Sequence, residues 1–167
     1  EIMTEDTRRI EYRFLHWGPF VCNYTLLPEE VEAFKLLEGG QDYRNNLAGH
    51  LENEKELDKE KVAKILTPYF NSYIKGYHEF RGQPLCNGFK IKTSWVNRQK
   101  KNEFNPPHTH DDHLSFVLGD LFIFPASLPH WVYPFKKTEG ERVSISGNVN
   151  LIDGDKILTP KNDSKEK

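Results

Sequence analysis

Cysteine is scarce in this sequence. Cys22 and Cys86 are the only two in 167 residues, too few for a disulfide scaffold or a four-cysteine zinc site. A single bridge between them remains open, but two free thiols in a reducing compartment is the simpler reading. Long apolar runs are missing as well. No stretch approaches the ~18–20 residues that span a bilayer, and no apolar segment near the start has the form of a secretory leader. A soluble, intracellular protein with no membrane partner is therefore expected. Nor does one sign of charge dominate. The 23 basic and 25 acidic side chains give a formal net charge of −2, which argues against a dedicated nucleic-acid surface, where basic groups are in excess. A starting methionine is absent too. The first residue is Glu1, so a fragment, a processed form or an incomplete sequence is expected.

Aromatic residues, by contrast, reach 13% beside 29% charged residues, with a mean hydropathy of −0.72. Disordered chains are poor in aromatics, so this composition indicates a folded protein with a wet surface. The length suits one domain that can bury a core without covalent staples.

Residues 10–27 hold β-branched and aromatic residues around a Gly18-Pro19 turn and read as one or two strands. Pro28-Glu29-Glu30 opens a helix that Gly39-Gly40 ends. Residues 58–78 form a longer helix with Val62, Ile65, Leu66, Tyr69, Phe70 and Tyr73 on one stripe, which reads as core rather than a cofactor site. Pro68 should kink it or divide it into two helices. The period then changes. Phe89, Ile91, Thr93 and Trp95 alternate with Lys90, Lys92 and Ser94 in a strand. Residues 121–124 and 131–133 read as further strands. A last strand alternates Val143, Ile145 and Val149 with Arg142, Ser144, Ser146 and Asn148. Helices first and antiparallel strands after them mean an α+β fold, and short strands with Pro- and Gly-rich turns suit a jelly roll or barrel. Residues 155–167 read as a polar tail.

Four of the seven histidines fall between residues 108 and 130. In an extended chain His108 and His110 share a face, about 6.6 Å apart along the strand. His130 follows Leu128-Pro129 and can add a third ligand from a neighbouring strand. Two near ligands and one distant ligand form a facial triad with positions left open for a cosubstrate and oxygen on non-haem iron(II). Arg142 and Ser144 lie two apart on a polar strand face. There an arginine can grip a carboxylate with two N–H groups, and a serine can add a hydroxyl. The plainer alternative is an arginine at the rim, paired with Glu139 or Glu141.

The segments NPPHTHDDHLSFV, GDLFIFPASLPHWVYPF and ERVSISGN together resemble the iron(II)/2-oxoglutarate oxygenases, closest to hydroxylase families of tailed phages and bacteria related to prolyl and aspartyl hydroxylases. The GPF and LPEE segment near residue 18 and LAGH at 47–50 are similar to the N-terminal half of that family. The resemblance covers roughly residues 14–152. It implies a double-stranded β-helix, the jelly-roll form of this superfamily, with N-terminal helices packed on one sheet. On that reading residues 1–154 are a single oxygenase domain, with a helical support region at about 28–80 and a jelly-roll region at about 85–152. It also implies a hydroxylase that converts 2-oxoglutarate to succinate while oxidising a C–H bond of a small-molecule or peptidyl substrate. Iron(II) would be held by His108, His110 and His130, and the far carboxylate of 2-oxoglutarate by Arg142 and Ser144. A cytoplasmic location is implied, in the host if the chain is phage-encoded, and a homodimer is left open. The alternative is a cupin-like jelly-roll module for binding or structure, without redox activity, or a metal-dependent isomerase on the same scaffold.

Two features depart from the family's pattern. The commonest metal motif is HxD, which here can only be His110-Asp111-Asp112, so the second ligand is either His110 or Asp112. The prolines before His108 favour His108 with His110. Second, only 19 residues separate His110 from His130, whereas four strands of ~5 residues with their turns need ~30–40. Missing residues between Val117 and Leu118 are the expectation; a shortened barrel is the alternative.

Overall fold

The computed structural model describes residues 12–16, 19–37, 39–46, 51–82, 86–118, 120–137 and 139–158. Expectations resting on Gly18, on residues 47–50 and on residues 159–167 lie outside the described residues. The fold is α+β, with two α-helices and mostly antiparallel strands.

Strands β1 (Tyr12–His16) and β2 (Phe20–Tyr24) pair as a hairpin. Helix α1 (Pro28–Lys35) starts at the expected proline, where Glu30 Oε2 accepts a hydrogen bond from the Leu27 N–H at 2.9 Å. It stops before Gly39-Gly40. Those glycines serve a close approach instead: a Cβ on Gly39 would lie 2.6 Å from Lys55 Cβ, and the Gly40 N–H donates to the Glu56 carbonyl at 2.7 Å. They lie against β3 (Glu54–Glu56).

Helix α2 (Lys59–Arg81) is capped by Asp58, whose carboxylate accepts from the Glu60 and Lys61 N–H groups, and ends at Gly82 in the left-handed region at φ 72°. It runs unbroken through Pro68, so the expected division into two helices is not found. Proline removes one N–H from the ladder, but the apolar stripe on both sides of it is buried: Val62, Leu66, Phe70 and Tyr73 are each at most 1% exposed. Burying each such side chain stabilises the fold by roughly 1.5–3 kcal/mol, enough to offset one lost bond.

The remaining strands are β4 (Gly88–Gln99), β5 (Asn105–His108), β6 (Leu114–Leu118), β7 (Leu121–Pro125), β8 (His130–Val132), β9 (Arg142–Asp153) and β10 (Lys156–Ile157). The large sheet runs β1-β2-β7-β6-β9-β4-β3, with β10 pairing on β9, and does not close into a barrel. Strands β5 and β8 form a separate two-stranded sheet. Helix α2 covers one face of the large sheet: Phe70 stacks on Phe89 at 4.6 Å and meets Phe116 edge-on at 5.8 Å, and the Tyr73 hydroxyl donates to the Phe20 carbonyl at 2.8 Å.

Three expectations about the strands need correction. The single alternation from Phe89 to Trp95 is interrupted. Ile91 pairs with Val149 but Thr93 pairs with Asn148, leaving one extra residue in β4. A bulge of one residue exchanges the two faces. Phe89 and Ile91 therefore pack toward α2, while Trp95, Asn97 and Gln99 line the cavity on the other side. Second, β6 is continuous through Val117 and Leu118, which pair with Ser146 and Ile145 of β9. Nineteen residues suffice because a single hairpin, β6–β7, lies between the two histidine-bearing segments, where several strands were expected. Third, the start of the polar tail is ordered: Lys156 and Ile157 pair with Asp153 and Ile152, and the Leu158 N–H donates to the Leu151 carbonyl at 3.0 Å.

Cys22 and Cys86 are free and buried. Among the described residues no helix is long and apolar enough to cross a membrane.

Candidate metal site

The two-stranded sheet brings two of the three candidate histidines face to face. His108 ends β5, His130 opens β8, and they are register partners. Their ring centroids are 4.3 Å apart. His110 lies beyond the end of β5, so it is not placed by the strand alternation that its spacing suggested. It is held instead by its main chain, whose N–H donates to the Ala126 carbonyl at 2.9 Å. Its ring lies 5.0 Å from that of His108 and 5.1 Å from that of His130. One ligand atom of each residue lies within 4.8 Å of the others.

Local sequence sets two of these rings. Both His108 and His130 follow a proline. In each case Nδ1 faces the carbonyl oxygen two residues back, Pro106 at 2.7 Å and Leu128 at 2.9 Å. A carbonyl only accepts, so Nδ1 carries the proton and Nε2 is left bare as a ligand atom. Burial favours the neutral form of two members, His110 foremost and then His130. Burial, then the rings of His130 and His108, pull the pKa of His110 down to about 4. Burial also lowers that of His130, against the opposing bond to the Leu128 carbonyl. Neutral imidazoles are the form that binds a metal. The donor set fits a divalent ion on these grounds.

The shifted HxD alternative is not supported by the geometry. The Asp112 carboxylate pairs with Lys92 Nζ at 2.9 Å, and Asp111 is exposed. His113 turns toward β9, where its Nδ1 accepts from the Leu151 N–H at 3.3 Å.

The triad stands at one side of a cavity that encloses about 60 Å³. A water needs roughly 10–15 Å³ by the same measure, so several waters or part of a small ligand fit. The floor is polar. Alternate residues of β9 and β4 supply Asn148, Ser146, Ser144, Asn97 and Gln99, with Ser115 from β6. Trp95 lines the cavity beside Asn97. Asn97 Nδ2 donates to Ser146 Oγ at 3.2 Å, while its Oδ1 is buried without a partner among the described residues, as is Oδ1 of Asn105 on the facing sheet. Such orphaned acceptors in a cavity wall mark where a polar ligand would compensate them.

Ser144 lines this cavity, but Arg142 is exposed and is not among the lining residues. The alternation would put Val143 in the core with Ile145 and Val149, but Val143 is 48% exposed, because the start of β9 projects past the packed core, while Ile145 and Val149 are buried. The Arg142 Nε and Nη2 groups donate to Gln99 Oε1, Nη2 also reaches the Tyr133 carbonyl at 3.1 Å, and the guanidinium lies 5.9 Å from the Phe135 ring centroid. Glu139 pairs with Lys101 and Glu141 with Arg98. Among the described residues no carboxylate pairs with Arg142. Gln99 was not singled out from the sequence; its signal was its place two residues beyond Asn97 on the same strand.

Comparisons of this chain with protein-family models, curated proteins and solved structures return no match.

Proposed function

We propose that this protein is an iron(II)- and 2-oxoglutarate-dependent oxygenase that hydroxylates a C–H bond of a small-molecule or peptidyl substrate. The observation that carries the reading is the convergence of three histidines on a cavity that Gln99, the residue holding the Arg142 guanidinium, also lines. Three imidazoles converge there, and burial favours the neutral form of His110 and His130. Arg142 itself is exposed outside the lining, and its partners among the described residues are neutral. The two sheets are, on this reading, a reduced jelly roll: the large sheet forms the floor, and the β5–β8 ribbon carries the metal over it. When bound, iron(II) supplies the activation of oxygen that is coupled to oxidative decarboxylation of 2-oxoglutarate to succinate.

The chain's own residues do the rest. His108, His110 and His130 would hold the ion through ring nitrogens, and three protein ligands would leave coordination positions open. The two N–H groups of Arg142 Nη1 have no partner among the described residues, so they can meet a carboxylate while Gln99 keeps the guanidinium oriented. Ser144 adds a hydroxyl on the cavity side. Phe124, whose ring centroid is 5.1 Å from that of His130, and Trp95, 6.2 Å from His110, shield the triad from bulk water.

Uncoupled turnover tests this. The protein with iron(II), oxygen and 2-oxoglutarate should slowly form succinate without added substrate, and His130→Ala should not. A protein that binds metal yet forms no succinate would be the cupin-like module instead.

A further inference from the structure

His110 differs from the other two histidines in what stands behind it. His108 and His130 face main-chain carbonyls, which fix their ring protons on Nδ1. Nδ1 of His110 instead lies 3.3 Å from Nδ2 of the Asn148 side-chain amide. An amide can present either end. With its nitrogen forward, Asn148 donates to Nδ1, and the ring proton belongs on Nε2, the atom that a metal needs bare. With its oxygen forward, the His110 Nδ1–H donates to Oδ1, and Nε2 is free. We propose that Asn148, anchored by Ser115, is the positioning residue of the metal site, and that His110 becomes a ligand only when the Asn148 amide presents its oxygen. This rests on the metal-site part of the reading above, and needs neither 2-oxoglutarate nor oxygen.

The surroundings are built for an amide that turns in place. Asn148 on β9 and Ser115 on β6 are register partners, 7% and 3% exposed. Ser115 Oγ lies 3.0 Å from Asn148 Oδ1. A hydroxyl both donates and accepts, so Ser115 satisfies the rear of the amide in either orientation. The two ends of an amide are nearly the same size, so the turn requires no repacking. Two ligands are thus preset by the main chain and the third is set by a side chain. That makes Asn148, although it carries no charge, a residue that should control metal affinity.

The test uses the full chain and zinc alone. Long-range proton–nitrogen spectra of the histidines read which ring nitrogen carries the proton. In the wild type, zinc should move the His110 proton to Nδ1. Asn148→Asp offers oxygen in both positions, so it should show His110 with Nδ1–H before zinc is added and bind zinc at least as tightly as the wild type. Asn148→Leu should weaken zinc by about 10–100-fold while its circular dichroism and melting remain those of a folded protein. Ser115→Ala should fall between. Zinc affinity of folded Asn148→Leu within about twofold of the wild type would overturn the inference. If Asn148→Leu does not fold, an Nε2–H His110 in Asn148→Asp overturns it by itself. A wild type that binds no zinc overturns both this inference and the metal site. Intact zinc affinity without succinate formation removes only the oxygenase reading.

Discussion

His110 carries the clearest pH signature in the molecule. Its folded pKa of about 4 lies below the ordinary value of 6.5, chiefly through burial. The unfolded chain therefore takes the proton first. The contribution of His110 is fully present above pH 6.5 and is lost as pH falls from there through 4. Thermal melts of the metal-free protein should drop across that window, and His110→Gln should flatten the drop. Glu54 works in the opposite sense. It is 1% exposed, both carboxyl oxygens lack partners among the described residues, and burial raises its pKa from 4.5 to about 7. Its favourable contribution is present below pH 4.5 and lost as pH rises through 7. Glu54→Gln should accordingly stabilise the protein at pH 8 relative to pH 5 by about 1–3 kcal/mol, read from denaturant midpoints at the two pH values. The three histidines were legible in the sequence because few other residue types bind metal and four sit within one short span. Glu54 was not, since it lies in the charged run Glu52–Glu56, whose pattern reads as a solvated surface. Asn148, Ser115 and Gln99 were not singled out either: amides and hydroxyls become informative only when strand register shows what they face.

The elements were legible where one periodicity ran uninterrupted. The stripe of α2 and the alternation of β9 each match a single period from end to end. Strand β4 was misread at its bulge, because an extra residue between Ile91 and Thr93 leaves no mark in the alternation of residue types. Strand β5 was missed because Pro106 and Pro107 cannot donate to a ladder; it survives in a two-stranded sheet, where proline is tolerated. Close packing of β9 on β6 and β4 depends on Gly147. A Cβ there would sit 2.5 Å from the Phe116 ring and 2.6 Å from the Thr93 carbonyl oxygen. Since the obstacles are a buried ring and main chain, Gly147→Ala should cost about 1–3 kcal/mol or more, measured as a shift in the urea midpoint. Asp58→Ala removes the cap of α2 and should cost about 1 kcal/mol, a smaller effect because water can replace an exposed cap.

At the scale of the whole molecule, a layer of helix supports an open sheet whose other face is the cavity floor, and a two-stranded ribbon carries two of the three histidines. The α+β class followed from the order of elements. The shortened path between His110 and His130 did not, because the number of strands between two ligands cannot be counted from residue types alone. Under the proposed function the metal is held by the three histidines, and Arg142 grips the cosubstrate's far carboxylate. The direct measurement is calorimetric titration of 2-oxoglutarate into the manganese-loaded protein. The wild type should bind. Arg142→Lys, which keeps the charge but loses the planar fork, should bind more weakly by about 1–3 kcal/mol, and Arg142→Ala more weakly still with manganese affinity retained. Equal affinity for the wild type and Arg142→Ala, or no binding by the metal-loaded wild type, would contradict it.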